Sequence, residues 1–238
     1  IHEQNSMPGK ANLMLSKHSD LVFVSFKSSI NKFNHNKVIF SGNPCSEDAI
    51  KVEKADITEL GLDKNKKLVV FVMGSLGAGR INDMILKNAD KFKEKDYQIL
   101  FVTGKSSYDK YKLLAYPSNV KVIDFYENLT KVMKITDLLV TRAGASTLSE
   151  IIALKVPAIL IPSPYVPDNH QYKNAIDLVK EEASLLIEEK ALTLDKLISV
   201  IDENLKDNNK LNKMKQNLEK FDISGSAKII YDELKKIK

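Results

Sequence analysis

From about residue 47 the chain alternates short, unbroken apolar runs with stretches whose apolar positions recur at helical spacing. Lys67–Met73 (KLVVFVM), Gln98–Val102, Val120–Ile123, Leu138–Val140, Ala158–Ile161 and Ser184–Ile187 read as strands. Ile81–Asp90, Leu129–Ile135, Leu148–Leu154 and Asn169–Val179 read as the helices between them. Strands that are apolar at every position are covered on both faces, which is the condition of a parallel sheet between two helical layers. Right-handed crossovers then wind it in both directions from its middle, and ligands bind such sheets beyond the carboxyl ends of the strands.

The first 45 residues have a different rhythm. Leu21–Val24 and Lys37–Phe40 predict two short strands, and Pro8–Lys17 predicts a helix with proline in its first turn. Gly42-Asn43-Pro44 is turn chemistry and marks a domain junction. Thr193–Lys238 predicts two or three amphipathic helices interrupted at Asp222–Gly225, with Ser224 or Ser226 as the cap of the last.

Charge narrows the functional classes. The net charge is +5, yet Arg80 and Arg142 are the only arginines. Arginine forks for bases or clustered phosphates are therefore lacking, and no nucleic-acid partner is expected. Lysines mixed with acids, as in Lys206–Lys220, describe a solvated helix face. No apolar run reaches the roughly 18–20 residues of a membrane span. The single Cys45 has no internal disulfide partner, which favours a reducing compartment. The chain starts at Ile1 without a signal-peptide pattern, and that start is expected to be the cut edge of a longer protein.

Four segments carry candidate chemistry. Arg142–Glu150 (RAGASTLSE) joins an apolar strand to a helix expected to begin near Thr147, so bare backbone N–H groups and the positive end of a helix face outward, as suits a phosphate. Glu150 has two readings: a carboxylate for sugar hydroxyls, or the glutamate of a capping box with Ser146 or Thr147 as cap. Both stay open in the sequence. Gly74–Gly79 (GSLGAG) also follows a strand and fits a phosphate or a tight turn. Its spacing is neither that of a dinucleotide fingerprint nor that of a P-loop. Asp168–Ala175 (DNHQYKNA) supplies amides and an imidazole behind Pro162, Pro164 and Pro167, and His2-Glu3-Gln4-Asn5 forms a second polar cluster. Each could equally be a polar loop. No metal-ligand spacing surrounds His170, and neither a metal nor a cofactor is expected.

The combination resembles the MurG-type glycosyltransferases of bacterial cell-wall synthesis. HEQNSMPGKAN at 2–12, GNP at 42–44, GSLGA at 74–78, TRAGASTLSE at 141–150, P-AILIPSPY at 157–165 and DNHQYKNA at 168–175 fall in the family's order. The resemblance implies a GT-B fold, an α/β arrangement of two Rossmann-like domains. Residues 1–45 would be the end of the N-terminal acceptor domain, 46–221 the UDP-sugar donor domain, and 222–238 a helix crossing back. It implies transfer of N-acetylglucosamine from its UDP donor to undecaprenyl-linked lipid I, at the cytoplasmic face of the membrane. Ser75 would contact the diphosphate, and backbone at Ala145, Ser146 and Thr147 would hold phosphate and sugar. Glu150 would bind the ribose, Tyr126 would mark the uracil, and Asn5 and Gln171 would read the sugar from opposite sides of the cleft.

Two departures qualify this expectation. Members carry GNPVR where this chain has Cys45-Ser46, so a cation near the donor is lost or replaced, for instance by Lys51. The family's glycine-rich segment, with its histidine, and its membrane-facing patch would precede Ile1. An inverting displacement needs a base for the acceptor hydroxyl. That base is expected outside this chain, with His2 the one candidate inside it. The rivals are a donor-binding half that needs a separate acceptor domain, another GT-B enzyme such as an epimerase, and a dinucleotide oxidoreductase, which the glycine spacing disfavours.

Overall fold

A computed structural model describes residues 1–34, 36–74, 78–223 and 225–237. The first sheet is parallel, in the order β1 (His2–Glu3), β2 (Val22–Val24), β3 (Val38–Phe40). Helix α1 (Lys10–Leu15) follows β1 and α2 (Cys45–Lys51) follows β3. The helix expected over Pro8–Lys17 is shorter: Gly9 is its N-cap, so Pro8 stands ahead of the first turn, and Ser16–His18 tighten to 3-10 geometry. Helix α2 was not legible, because its proline and mixed polarity read as a continuation of the turn.

The second sheet contains β4 (Leu68–Val72), β5 (Gln98–Val102), β6 (Val120–Ile123), β7 (Leu138–Thr141), β8 (Ala158–Leu160) and β9 (Leu185–Leu186). All pairings are parallel, in the spatial order β6-β5-β4-β7-β8-β9. Numbered from its own first strand this is the 3-2-1-4-5-6 order of the doubly wound fold. The connections are α3 (Gly79–Leu86), α4 (Lys105–Tyr108), α5 (Leu129–Met133), α6 (Ala145–Leu154) and α7 (His170–Lys180). After β9 come α8 (Leu194–Lys206), α9 (Asn208–Leu218) and α10 (Ser226–Leu234).

The inner strands are almost wholly apolar because both their faces are buried, whereas Lys121 on the edge strand β6 is exposed. Val69, Phe71 and Met73 face a layer with Ile81, Ile85, Leu197 and Ile201, and Phe71 stacks on Phe101 at 5.3 Å between ring centroids. Leu68 and Val70 face the opposite layer with Leu148, Ile151 and Leu178. The order in which strands are added reverses between β4 and β7, so the loops after these two strands leave in opposite directions and open a crevice at their carboxyl ends.

The last helix meets the first sheet at the Gly42 turn. Gly42 has φ +72, and a Cβ there would lie 2.6 Å from Ser226 Oγ and 3.2 Å from Ile223 Cβ. Only glycine combines this left-handed backbone with so close an approach. The Ala227 N–H also donates to Glu47 Oε1 at 2.6 Å. The N-cap of α10 is Gly225, with no side-chain cap bond. The serine expected as cap at 226 is therefore the first helical residue, and Ser224 lies outside the described residues. Among the described residues no helix is long and apolar enough to cross a membrane.

Candidate donor-binding site

The crevice holds a cavity of about 390 Å³. Val72, Met73 and Gly74 line it from the end of β4, and Thr141, Arg142, Gly144 and Thr147 line it from β7 and the start of α6. Ser163 and Gln171 close a third side. Gly74 has φ +86, a left-handed backbone at the lining of the crevice that glycine adopts without strain. Ser75, the residue expected on the diphosphate, lies outside the described residues.

Helix α6 starts at Ala145, two residues earlier than expected, with Gly144 as N-cap and no side-chain cap bond. The first intrahelical bond runs from Leu148 N–H to Gly144 O at 2.9 Å, so the N–H groups of Ala145, Ser146 and Thr147 precede the ladder. The positive end of the helix dipole and these donors stand at the rim of the cavity. This overturns the capping-box reading: Glu150 is the sixth helical residue, beyond reach of the N-cap. Glu150 is half-buried, and no hydrogen bond or ion pair holds it among the described residues. Burial pushes its pKa above the ordinary carboxyl value.

Cys45, at the start of α2, lies close enough to Glu150 to feel its charge. Partial burial of the thiol and that carboxylate both raise the Cys45 pKa. Ser46, where relatives of this type were expected to carry arginine, is buried and donates to Asn43 O at 2.7 Å. Lys51 sits in the last turn of α2, paired with Asp48 at 3.8 Å. Arg142 is the cation at the cavity. Its Nη1 donates to Glu189 Oε2 at 2.7 Å and to Ile161 O at 3.0 Å, with the pair 13% and 7% exposed.

Gln171, in the first turn of α7, accepts from Ser163 N–H through Oε1 at 2.9 Å. One turn on, Asn174 is fully buried. Its Oδ1 accepts from Ser6 N–H at 2.8 Å, and its Nδ2 reaches Asn5 Oδ1 at 3.0 Å and Ala143 O at 3.4 Å. Asn5 therefore lies against α7 beside the turn that leads into α6. Glu3, 2% exposed, holds the same loop: Oε1 accepts from Asn5 N–H and Nδ2 at 2.8 and 3.2 Å, and Oε2 from Gly9 N–H and Asn12 Nδ2 at 2.9 and 2.8 Å. Asn174 and Glu3 were quoted within their motifs but given no role. Their signal was the position of a polar residue on an otherwise buried register.

His2 Nε2 lies 2.9 Å from Gly42 O, so that nitrogen carries a proton and donates. Tyr126, in the loop after β6, packs on the core beside α5, and its neighbour Leu129 rather than Tyr126 lines the cavity. Among the described residues no three His, Cys, Asp or Glu side chains converge as a metal site.

The two parallel sheets, the strand order and the crevice at the switch point define a protein of the GT-B fold. An Acinetobacter baumannii MurG crystal structure superimposes with a TM-score of 0.79 over 100% of this chain and 66% of that one, at 24% identity. A putative UDP-N-acetylglucosamine 2-epimerase of Listeria monocytogenes does so at 0.71, over 92% of this chain and 60% of that one, at 14% identity. At such identities the likeness concerns fold alone. Residues 68–229 match the glycosyltransferase family 28 C-terminal domain, and the chain belongs to that family. A relative from Halalkalibacterium halodurans is 40% identical over all of this chain and 67% of its own length. One from Bacillus licheniformis is 39% identical over all of this chain and 66% of its own. Both are named UDP-N-acetylglucosamine--N-acetylmuramyl-(pentapeptide) pyrophosphoryl-undecaprenol N-acetylglucosamine transferase. The chain thus spans about two thirds of the length of these curated relatives.

Proposed function

We infer that this chain binds UDP-N-acetylglucosamine and forms the donor half of an inverting transferase. The acceptor is undecaprenyl-diphospho-muramoylpentapeptide, met at the cytoplasmic surface of the membrane. The observation that carries this reading is the start of α6, without a side-chain cap, at the rim of the crevice, together with the half-buried carboxylate of Glu150 on the same helix, which has no hydrogen bond or ion pair among the described residues. The N–H groups of Ala145, Ser146 and Thr147, with Ser75, take the diphosphate, and Glu150 takes the ribose hydroxyls. Tyr126 marks the uracil side, and Asn5 and Gln171 reach the sugar. The names and identities of the relatives support the choice of donor and acceptor.

Transfer breaks the bond between the anomeric carbon and the UDP oxygen as the muramoyl 4-hydroxyl attacks from the opposite face. A base takes the hydroxyl proton, and the departing diphosphate gathers negative charge, which the donors at the start of α6 stabilise without reorganising. His2 commits Nε2 to Gly42 O, which leaves Nδ1 as the one ring nitrogen of this histidine that could serve as a base. The acceptor-side groups and the base are assigned to the acceptor half of the enzyme, a reading supported by the chain's spanning about two thirds of the relatives' length. Incubation with UDP-N-acetylglucosamine and lipid-linked acceptor tests this. Donor binding without turnover, restored by a chain that supplies the acceptor side, is expected. Turnover by the 238 residues alone would place the base among them, and conversion of the UDP-sugar without acceptor would point to an epimerase.

A further inference from the structure

The hydrogen bonds around Asn5 and Gln171 fix which way each amide faces. Both Glu3 oxygens accept from backbone N–H groups, those of Asn5 and Gly9, which have no other role than donor. The Asn5 group beside Oε1 must then be its NH₂, which leaves Oδ1 facing Asn174. Asn174 must in turn present NH₂ to Asn5 Oδ1, and this agrees with its other contacts: Oδ1 receives Ser6 N–H while Nδ2 faces Ala143 O. Every link has one allowed direction, because each end is a backbone group of fixed polarity. The loop itself is braced by Ser29 Oγ, which donates to Asn5 O at 2.9 Å and Ser6 O at 3.0 Å. At Gln171 the Ser163 N–H occupies Oε1, so its NH₂ is the end left for the cavity.

We propose that Glu3 is a positioning residue that locks Asn5 as an N–H donor, so that the sugar is read by two amide NH₂ groups and its oxygens at these contacts accept. This rests on the donor-site reading above and adds its polarity: hydroxyls whose oxygens accept, or an acetamido carbonyl, fit here, whereas a group that only donates does not. One Asn5 N–H is used by Glu3, so a single N–H remains for ligand. Glu3 touches no ligand in this scheme and acts only through Asn5.

Glu3→Gln tests it. The glutamine keeps the shape but brings an NH₂ of its own, so the amide order around Asn5 is no longer unique. Titration with UDP and with UDP-N-acetylglucosamine should show the sugar nucleotide weakened roughly five- to tenfold, about the loss of one hydrogen bond, with UDP unchanged. Deoxyfluoro analogues of the sugar, which accept weakly but do not donate, should bind wild type better than the matching deoxy analogues. Equal weakening of UDP and UDP-N-acetylglucosamine, or no weakening of either, overturns the proposal. So does a fluoro series no better than the deoxy series when loss of the acetamido carbonyl also leaves affinity unchanged. A second readout needs no nucleotide: the Asn5 side-chain amide protons should exchange slowly in wild type and at least tenfold faster in Glu3→Gln. Equal exchange overturns the lock, whereas slow exchange in a protein that binds no UDP-sugar overturns the donor reading and leaves the lock standing.

Discussion

Asn174 donates through Nδ2 to Oδ1 of Asn5 across 3.0 Å, joining residues 169 positions apart. The same amide accepts from Ser6 N–H and reaches Ala143 O, so one buried side chain ties the loop after β1 to the turn before α6. Position within the donor site is shared between the two sheets through this contact.

Asn174→Ala should therefore be costly. It leaves a buried N–H at Ser6 and a buried carbonyl at Ala143 without this partner. A loss of about 2–3 kcal/mol is expected in denaturant unfolding. Asn174→Asp keeps the acceptor for Ser6 but sets a buried carboxylate oxygen against Asn5 Oδ1 and Ala143 O, and should cost at least as much as the alanine variant at neutral pH.

Glu150→Ala separates the two roles once open to this residue. Because Gly144 caps α6 and Glu150 is the sixth helical residue, the change removes no cap. Thermal unfolding should move little, while affinity for UDP should fall about tenfold, the worth of a hydrogen bond to a charged group. An unfolded variant would return Glu150 to a structural role.

The pH dependence of Glu150 has a definite sign. Its folded-state pKa is raised by burial above 4.5. Its protonated form is thus favoured by folding: the contribution to stability is complete below the unfolded pKa and is lost as pH rises through the folded one. Ligand affinity runs the other way, since the carboxylate is what accepts from ribose hydroxyls. UDP binding should weaken on acidification at a higher pH than for an ordinary glutamate, and Glu150→Gln should remove that step.

Much of this arrangement was legible in the sequence, for a physical reason. Strands buried on both faces are almost wholly apolar, and Gln98–Val102, like Val120–Ile123 on the sheet edge, has the bounds that its apolar run predicts. Helix starts were less legible. The first residues of α6, Ala145 and Ser146, are small and suit turn or helix alike, so the start was placed at Thr147. Helix α2 was hidden because Pro44 serves as its N-cap while also completing a turn signal. The partners of Asn5 were the least legible: Asn174 meets it through a tertiary contact that no local pattern encodes, and Glu3, two residues before it, is marked only as a polar residue on a buried register.

Gly42→Ala should loosen the last helix. The new Cβ would meet Ser226 Oγ at 2.6 Å on a backbone at φ +72. A loss of about 2 kcal/mol or more is expected from strain and clash together. Ser226→Ala in the same chain removes the nearest atom and should recover part of the loss in thermal unfolding.

Cys45 offers a probe of the site. Its thiol is exposed yet raised in pKa by partial burial and by Glu150, so alkylation near neutral pH should be slow. UDP bound against Glu150 should slow it further, by at least threefold in a mass-resolved time course. In Glu150→Ala the same protection should require about tenfold more UDP, in step with the loss of affinity.

The central claim is that the crevice between β4 and β7 is a working UDP-N-acetylglucosamine site. Calorimetric titration of the purified chain tests it most directly, with UDP-N-acetylgalactosamine and NAD as controls. Saturable binding of UDP-N-acetylglucosamine, tighter than either control and weakened by Glu150→Ala, is the predicted result. Binding of none of the three by the folded chain, or equal binding of all, would contradict it.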